Sequence, residues 1–221
     1  MKKVIIVLVT VVLQIGYVHA QFAIGVRTGL SLTNISEEND GEKPSADEIG
    51  KFKPGFQTGV IGEYSITKNV AIQTGILFAT QGSRNRKTEK GIRFENSINL
   101  NYIQVPVNAQ FKFDLEGIKL LLHAGPYLGF GVGGNLNTKI SIGGGIYNID
   151  QKIKFGDNIN DDVSYIEKAF DFGIGFGAGL QFGSIQVGLV YNVGLADMCD
   201  DDTYSIKNHG LALTATYFFG K

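Results

Sequence analysis

Hydrophobic and polar residues alternate along most of this chain. Phe22, Ile24, Val26, Leu30 and Leu32 share one parity, and Ala23, Gly25, Arg27, Gly29 and Ser31 share the other. A period of two describes a strand with one apolar face and one small or polar face. The pattern recurs seven more times. It predicts strands over about 22–32, 55–66, 70–81, 98–113, 118–132, 169–182, 184–196 and 208–219. The sixth is the most regular: Phe170, Phe172, Ile174, Phe176, Leu180 and Phe182 alternate with Asp171, Gly173, Gly175, Gly177, Gly179 and Gln181.

The connections alternate too. Residues 33–54, 82–97, 133–168 and 197–207 form long ones; 67–69, 114–117 and 183 form short ones. Long and short loops in turn describe an all-β, eight-stranded, antiparallel up-and-down transmembrane β-barrel, with tight periplasmic turns and both termini in the periplasm. Aromatics of the outward parity fall into two girdles: Phe22, Tyr64, Phe113, Phe182 and Phe219 at one rim, Phe56, Phe78, Phe130, Phe170 and Phe172 at the other. Two short alternating runs around Gly143-Gly144-Gly145 read as a hairpin protruding above the barrel; the alternative is a ten-stranded barrel. Pro106 and Pro126 lie inside strands, where each removes a ladder hydrogen bond and points to a bulge.

Met1-Lys2-Lys3, an apolar run from Val4 to Leu13 and Val18-His19-Ala20 have the form of a signal peptide. The expected domains are a signal peptide over 1–20, cut after Ala20, and an outer-membrane barrel over 21–221. Thirty glycines suit a narrow barrel interior. Cys199 is the only cysteine, so no intrachain disulfide exists, and a net charge of −1 gives no electrostatic case for nucleic acid.

Only side chains fit inside eight strands. The inward parity carries Arg27, Glu63, Lys112, Lys119, His123 and Asp171, and confined charges must pair. The expectation is a shared interior network that plugs the barrel. Among candidate chemistry, the acidic run Asp197–Asp202 lacks the pattern of a calcium loop, and His123 and His209 have no nucleophile or metal-ligand spacing beside them. Catalysis, metal and cofactor are therefore not expected. The loops differ in sign: 33–54 holds six acidic and three basic residues, whereas 82–97 holds five basic residues, Arg84, Arg86, Lys87, Lys90 and Arg93, and two acidic ones. A basic outer loop has an electrostatic partner in lipopolysaccharide phosphates.

Four stretches stand out in order along the strands: Tyr102-Ile103-Gln104-Val105-Pro106, Ala124-Gly125-Pro126-Tyr127-Leu128-Gly129, Phe170-Asp171-Phe172-Gly173 with Gly177-Ala178-Gly179-Leu180, and Tyr191-Asn192-Val193-Gly194-Leu195. In these the chain resembles the PorT-like outer-membrane β-barrel proteins of the Bacteroidota, often labelled "porin family". The resemblance implies an eight-stranded barrel and allows a role in protein secretion or export. The expected function is non-enzymatic, structural or surface-interacting. Expected partners are outer-membrane lipid, lipopolysaccharide and the barrel-assembly machinery during insertion. A soluble lipocalin-like binder, which needs its apolar face inward, is the contrasting alternative.

Overall fold

The computed structural model describes residues 21–39, 51–89, 91–143, 145–155, 163–166, 168–197 and 204–220. Residues 1–20, and with them the signal peptide, lie outside this set, as do Lys90 and Cys199.

The strands are β1 (Phe22–Asn39), β2 (Lys51–Ser65), β3 (Val70–Glu89), β4 (Ile92–Leu115), β5 (Ile118–Ile142), β6 (Gly145–Phe155), β7 (Val163–Ile166), β8 (Phe170–Phe182), β9 (Ile185–Gly194) and β10 (Tyr204–Phe219). Eight of them form a closed antiparallel ring in the order β4-β3-β2-β1-β10-β9-β8-β5, with β5 returning to β4. The ten-strand alternative fails because β6 and β7 stay out of the ring. One edge of β5 pairs with β8 from Lys119↔Gln181 to Phe130↔Phe170, then with β6 from Gly134↔Ile153 to Ile142↔Gly145. β7 adds to β6 in parallel.

Side chains alternate as the sequence predicts. Leu30, Val60, Ile76, Phe111, Leu122, Phe176, Leu189 and Leu213 are exposed on the outer wall, while Arg27, Gln57, Gln73, Gln104, Lys112 and Thr216 are buried inside. This is the reverse of a lipocalin. The aromatic girdles lie on the outer wall, with Phe56 tilted against Phe78 and Phe130 edge-on to Phe170.

Strand ends differ from the expectation. The segment 82–97 is not a loop: β3 and β4 pair continuously out to Glu89↔Ile92. The expected hairpin over 139–150 is present, paired up to Ile142↔Gly145 and outside the ring, but its first arm is continuous with β5. The cause is a polarity inversion. The last apolar outward row runs Phe78, Ile103, Phe130 and Phe170 in register. Beyond it the outward positions on β4 become Asn101, Asn99, Ser97, Glu95 and Arg93, while the inward ones become Tyr102, Leu100, Ile98 and Phe94. Above the lipid the outer face meets water, so apolar groups gain by turning inward. There Ile35, Leu100, Tyr102 and Ile153 form a buried cluster, with Ile98, Leu136 and Phe155 packed on it.

Neither Pro106 nor Pro126 produces a bulge. Register is the same on both sides of each; the shifts fall at Asn101/Tyr102 and between Phe52 and Gln57, next to Pro54. The proline at 106 costs one ladder hydrogen bond without adding a residue to the strand.

Candidate functional site

The lumen is held at its periplasmic end by one connected polar network. Lys112 Nζ donates to Glu63 Oε1 in a buried ion pair. Glu63 Oε2 accepts from Gln73 Nε2 at 2.9 Å and from Gln186 Nε2 at 3.1 Å. Gln73 Oε1 accepts from Arg27 Nη2 at 2.9 Å, and Arg27 Nε donates to Thr216 Oγ1 at 2.8 Å. Gln186 Nε2 also donates to Gln181 Oε1 at 3.1 Å. The seven residues come from β1, β2, β3, β4, β8, β9 and β10, every ring strand but β5. Such a network ties the strands together across the barrel axis rather than along the wall. Ala23, Ile61, Leu77 and Phe218 form an apolar cluster on the same inward side.

Of the six interior residues expected from sequence, the structure brings Arg27, Glu63 and Lys112 together. Asp171 sits apart, at the outer end of β8, and is buried. Its Oδ2 accepts from Asn208 Nδ2 at 3.1 Å and from the Tyr127 hydroxyl at 3.5 Å. Asn208 Nδ2 also reaches the Tyr102 hydroxyl at 3.4 Å. His123 is half-buried; a Cβ on Gly177 would lie 2.6 Å from its Nε2, so glycine makes room for the ring. Lys119 is half-buried and lines a periplasmic vestibule of about 800 Å³ with Lys68, Lys112 and Asp114. The sequence reading did not single out Tyr102, Tyr127, Ile61, Leu77 and Phe218, although parity turns them inward, because large apolar residues of a barrel strand are expected on the wall.

Beside the Asp171 group lies a cavity of about 20 Å³, bordered by Gln57, Gln81, Gln104, Tyr127, Asn192 and Asn208. That is room for one water molecule. Gln81 Oε1 and Gln104 Nε2 have no protein partner there.

The basic segment is the β3–β4 hairpin. Arg84 and Arg86 point outward and are exposed, and both contact Glu95: Arg86 Nη2 at 2.9 Å, Arg84 Nε at 3.5 Å. The hydrogen bond from Arg86 holds the Glu95 carboxyl below the ordinary carboxylate range. Arg93 shares the outward face. Lys87 pairs in register with Phe94 and takes the opposite face. Lys90, and all of the acidic run but Asp197, lie outside the described residues.

Residues 19–200 match the family described as outer membrane protein beta-barrel domain. No curated protein sequence is significantly similar to the chain. Among solved structures it is similar to Ail, the attachment invasion locus protein of Yersinia pestis (17% identity, 90% of this chain and 99% of that one, TM-score 0.38). Others are neisserial surface protein A (13%, 89% and 97%, 0.43) and OprG from Pseudomonas aeruginosa (8%, 91% and 97%, 0.46). The family match spans most of the chain and agrees with the closed ring, the apolar outer wall and the polar lumen: the protein belongs to the outer membrane protein β-barrel domain family.

Proposed function

We propose that this protein is a non-enzymatic outer-membrane barrel whose lumen is filled by its own side chains and whose role is to hold an extracellular β-sheet at the cell surface. The carrying observation is the network from Arg27 to Gln186, which crosses the periplasmic end of the lumen and engages seven of eight ring strands. The apolar cluster of Ile35, Leu100, Tyr102 and Ile153 is buried at the other end. Neither His123 nor His209 is placed for catalysis: His209 packs edge-on against Phe52 at 6.1 Å on the outer wall, and His123 is fitted against a glycine. Export by a signal peptide cut after Ala20 and insertion by the barrel-assembly machinery belong to the same reading.

Conductance tests it. Purified, refolded protein in planar bilayers passes no steady current, because an eight-stranded interior has room only for its side chains. Stable single-channel openings at the monomer mass would refute the filled lumen.

A further inference from the structure

The polarity inversion leaves the projecting sheet of β3 to β7 with two unlike faces. In-register rows identify the outward one: Arg84↔Ser97↔Asn137↔Asp150, Arg86↔Glu95↔Lys139↔Asn148, and Asn99↔Asn135↔Lys152. Arg93 and Lys154 follow by parity on β4 and β6. This face therefore carries six cations, Arg84, Arg86, Arg93, Lys139, Lys152 and Lys154, against two carboxylates, Glu95 and Asp150. The inward face of the same sheet carries Ile98, Phe94, Leu136, Ile140 and Ile153, with Lys87 balanced by Glu89. Charge is thus segregated onto the side that continues the lipid-facing wall.

Its height fits one occupant. Along β4, Lys152 is level with Asn99, four residues past Ile103 in the last apolar row, and Arg93 is ten residues past it. Lys154 is one pair lower, level with Asn101; at about 3.4 Å per residue and a tilt of about 40°, the cations stand roughly 5 to 25 Å above the hydrocarbon edge. That is the layer of sugar-linked phosphates on the outer leaflet. Arginine recognises such groups in a bidentate fork, and Lys152 and Lys154 add exposed point charges. Glu95 holds Arg84 and Arg86 upright at the centre of the face.

We infer that the outward face of the projecting sheet is a docking surface for the phosphorylated core saccharide of outer-leaflet lipopolysaccharide. The inference rests on the proposed surface-anchor role. It names the surrounding membrane, rather than a soluble polyanion, as the partner of the basic face.

The test uses the mature chain in phosphatidylcholine nanodiscs, titrated with purified rough lipopolysaccharide and with the same material after enzymatic dephosphorylation. The wild type binds the phosphorylated form, and affinity falls as salt rises. The triple variant Arg93→Glu, Lys152→Glu, Lys154→Glu loses at least tenfold, whereas Lys87→Glu on the opposite face stays within twofold. Retention of the gel shift between unheated and heated samples shows that each variant has folded. Equal binding of the triple variant, or of the dephosphorylated material, overturns the inference. So does an equal loss in Lys87→Glu. A second arm adds heparin to nanodiscs with and without lipopolysaccharide. Heparin binds only those without it; equal binding to both means that the face is uncovered in its own membrane, and refutes the assignment. Conductance is read on the same preparations, so failure of the filled lumen is seen separately from failure of this docking surface.

Discussion

Glu63 has three donors on its two carboxylate oxygens, and each comes from a different strand. It is fully buried, and Lys112 beside it is buried at the edge of the periplasmic vestibule. A pair of this kind adds little net stability over an apolar pair of the same shape, but half a pair is costly. Glu63→Ala leaves Lys112 without its counterion and should destabilise the barrel by about 3–5 kcal/mol. Read as the temperature at which the compact band is lost on gels, it should melt well below wild type, while Glu89→Ala at the exposed hairpin end should not. The double variant Glu63→Gln, Lys112→Met should recover much of the loss, because no buried ammonium is then left without its counterion. If Glu63→Ala and Glu89→Ala melt alike, the ion pair does not hold the lumen. The inward placement of Arg27, Glu63 and Lys112 was legible from parity alone. Their separation from Asp171 follows from depth along the strands, which parity does not report: Glu63 stands at the periplasmic end of β2 and Asp171 at the opposite end of β8.

At the scale of the element, the alternation reads well where the chain crosses lipid and fails above it. The template of apolar-out, polar-in assigns Arg84, Arg86, Glu95 and Lys139 to loops, because they break it. The backbone does not break; only the solvent changes, and with it the face on which an apolar side chain is favourable. A sequence rule that let the apolar face switch sides would have extended β3, β4 and β5 to their observed ends. The bulge that pairs Asn101 with Gly133 and Tyr102 with Gly131 lies at this switch. Gly131 is required there by contact rather than by backbone angle: a Cβ at that position would fall 2.2 Å from the ring of Phe155. Phe155 in turn lies 5.9 Å from Tyr102, ring centre to ring centre. Gly131→Leu should therefore push Phe155 and the end of β6 off the mouth. Limited proteolysis should cut between Gly145 and Phe155 much faster than in wild type, with the heat-modified gel shift of the ring unchanged. Unchanged protease resistance would mean that Phe155 does not pin the projecting sheet. The pH response of that sheet has a definite sign. Since Arg86 depresses the Glu95 carboxyl, the contact is fully present above the ordinary carboxylate range and is lost only as pH falls through the lowered value.

On the proposed reading the whole molecule is closed twice along its axis, by different chemistry at each end. Polar side chains join across the periplasmic half, and an apolar cluster from β1, β4 and β6 is buried at the outer end. The cavity bordered by Gln57, Gln104 and Asn208 has space for one water. Two closures in series make a sharper prediction than one. Ile153→Ser with Phe155→Ser should loosen the outer cluster and still pass no current, because the network below remains. Gln73→Ala with Gln186→Ala empties part of the network, yet should also stay silent while Leu100, Tyr102 and Ile153 cover the mouth. Only the combined four-substitution variant should show stable openings in planar bilayers, at monomer mass and with its gel shift intact. If the outer pair alone conducts, the periplasmic network does not fill the lumen and its role is confined to strand anchoring. If the four-substitution variant folds and stays silent, closure comes from the ring's own width and the remaining inward side chains, Ile61, Leu77 and Phe218 foremost among them.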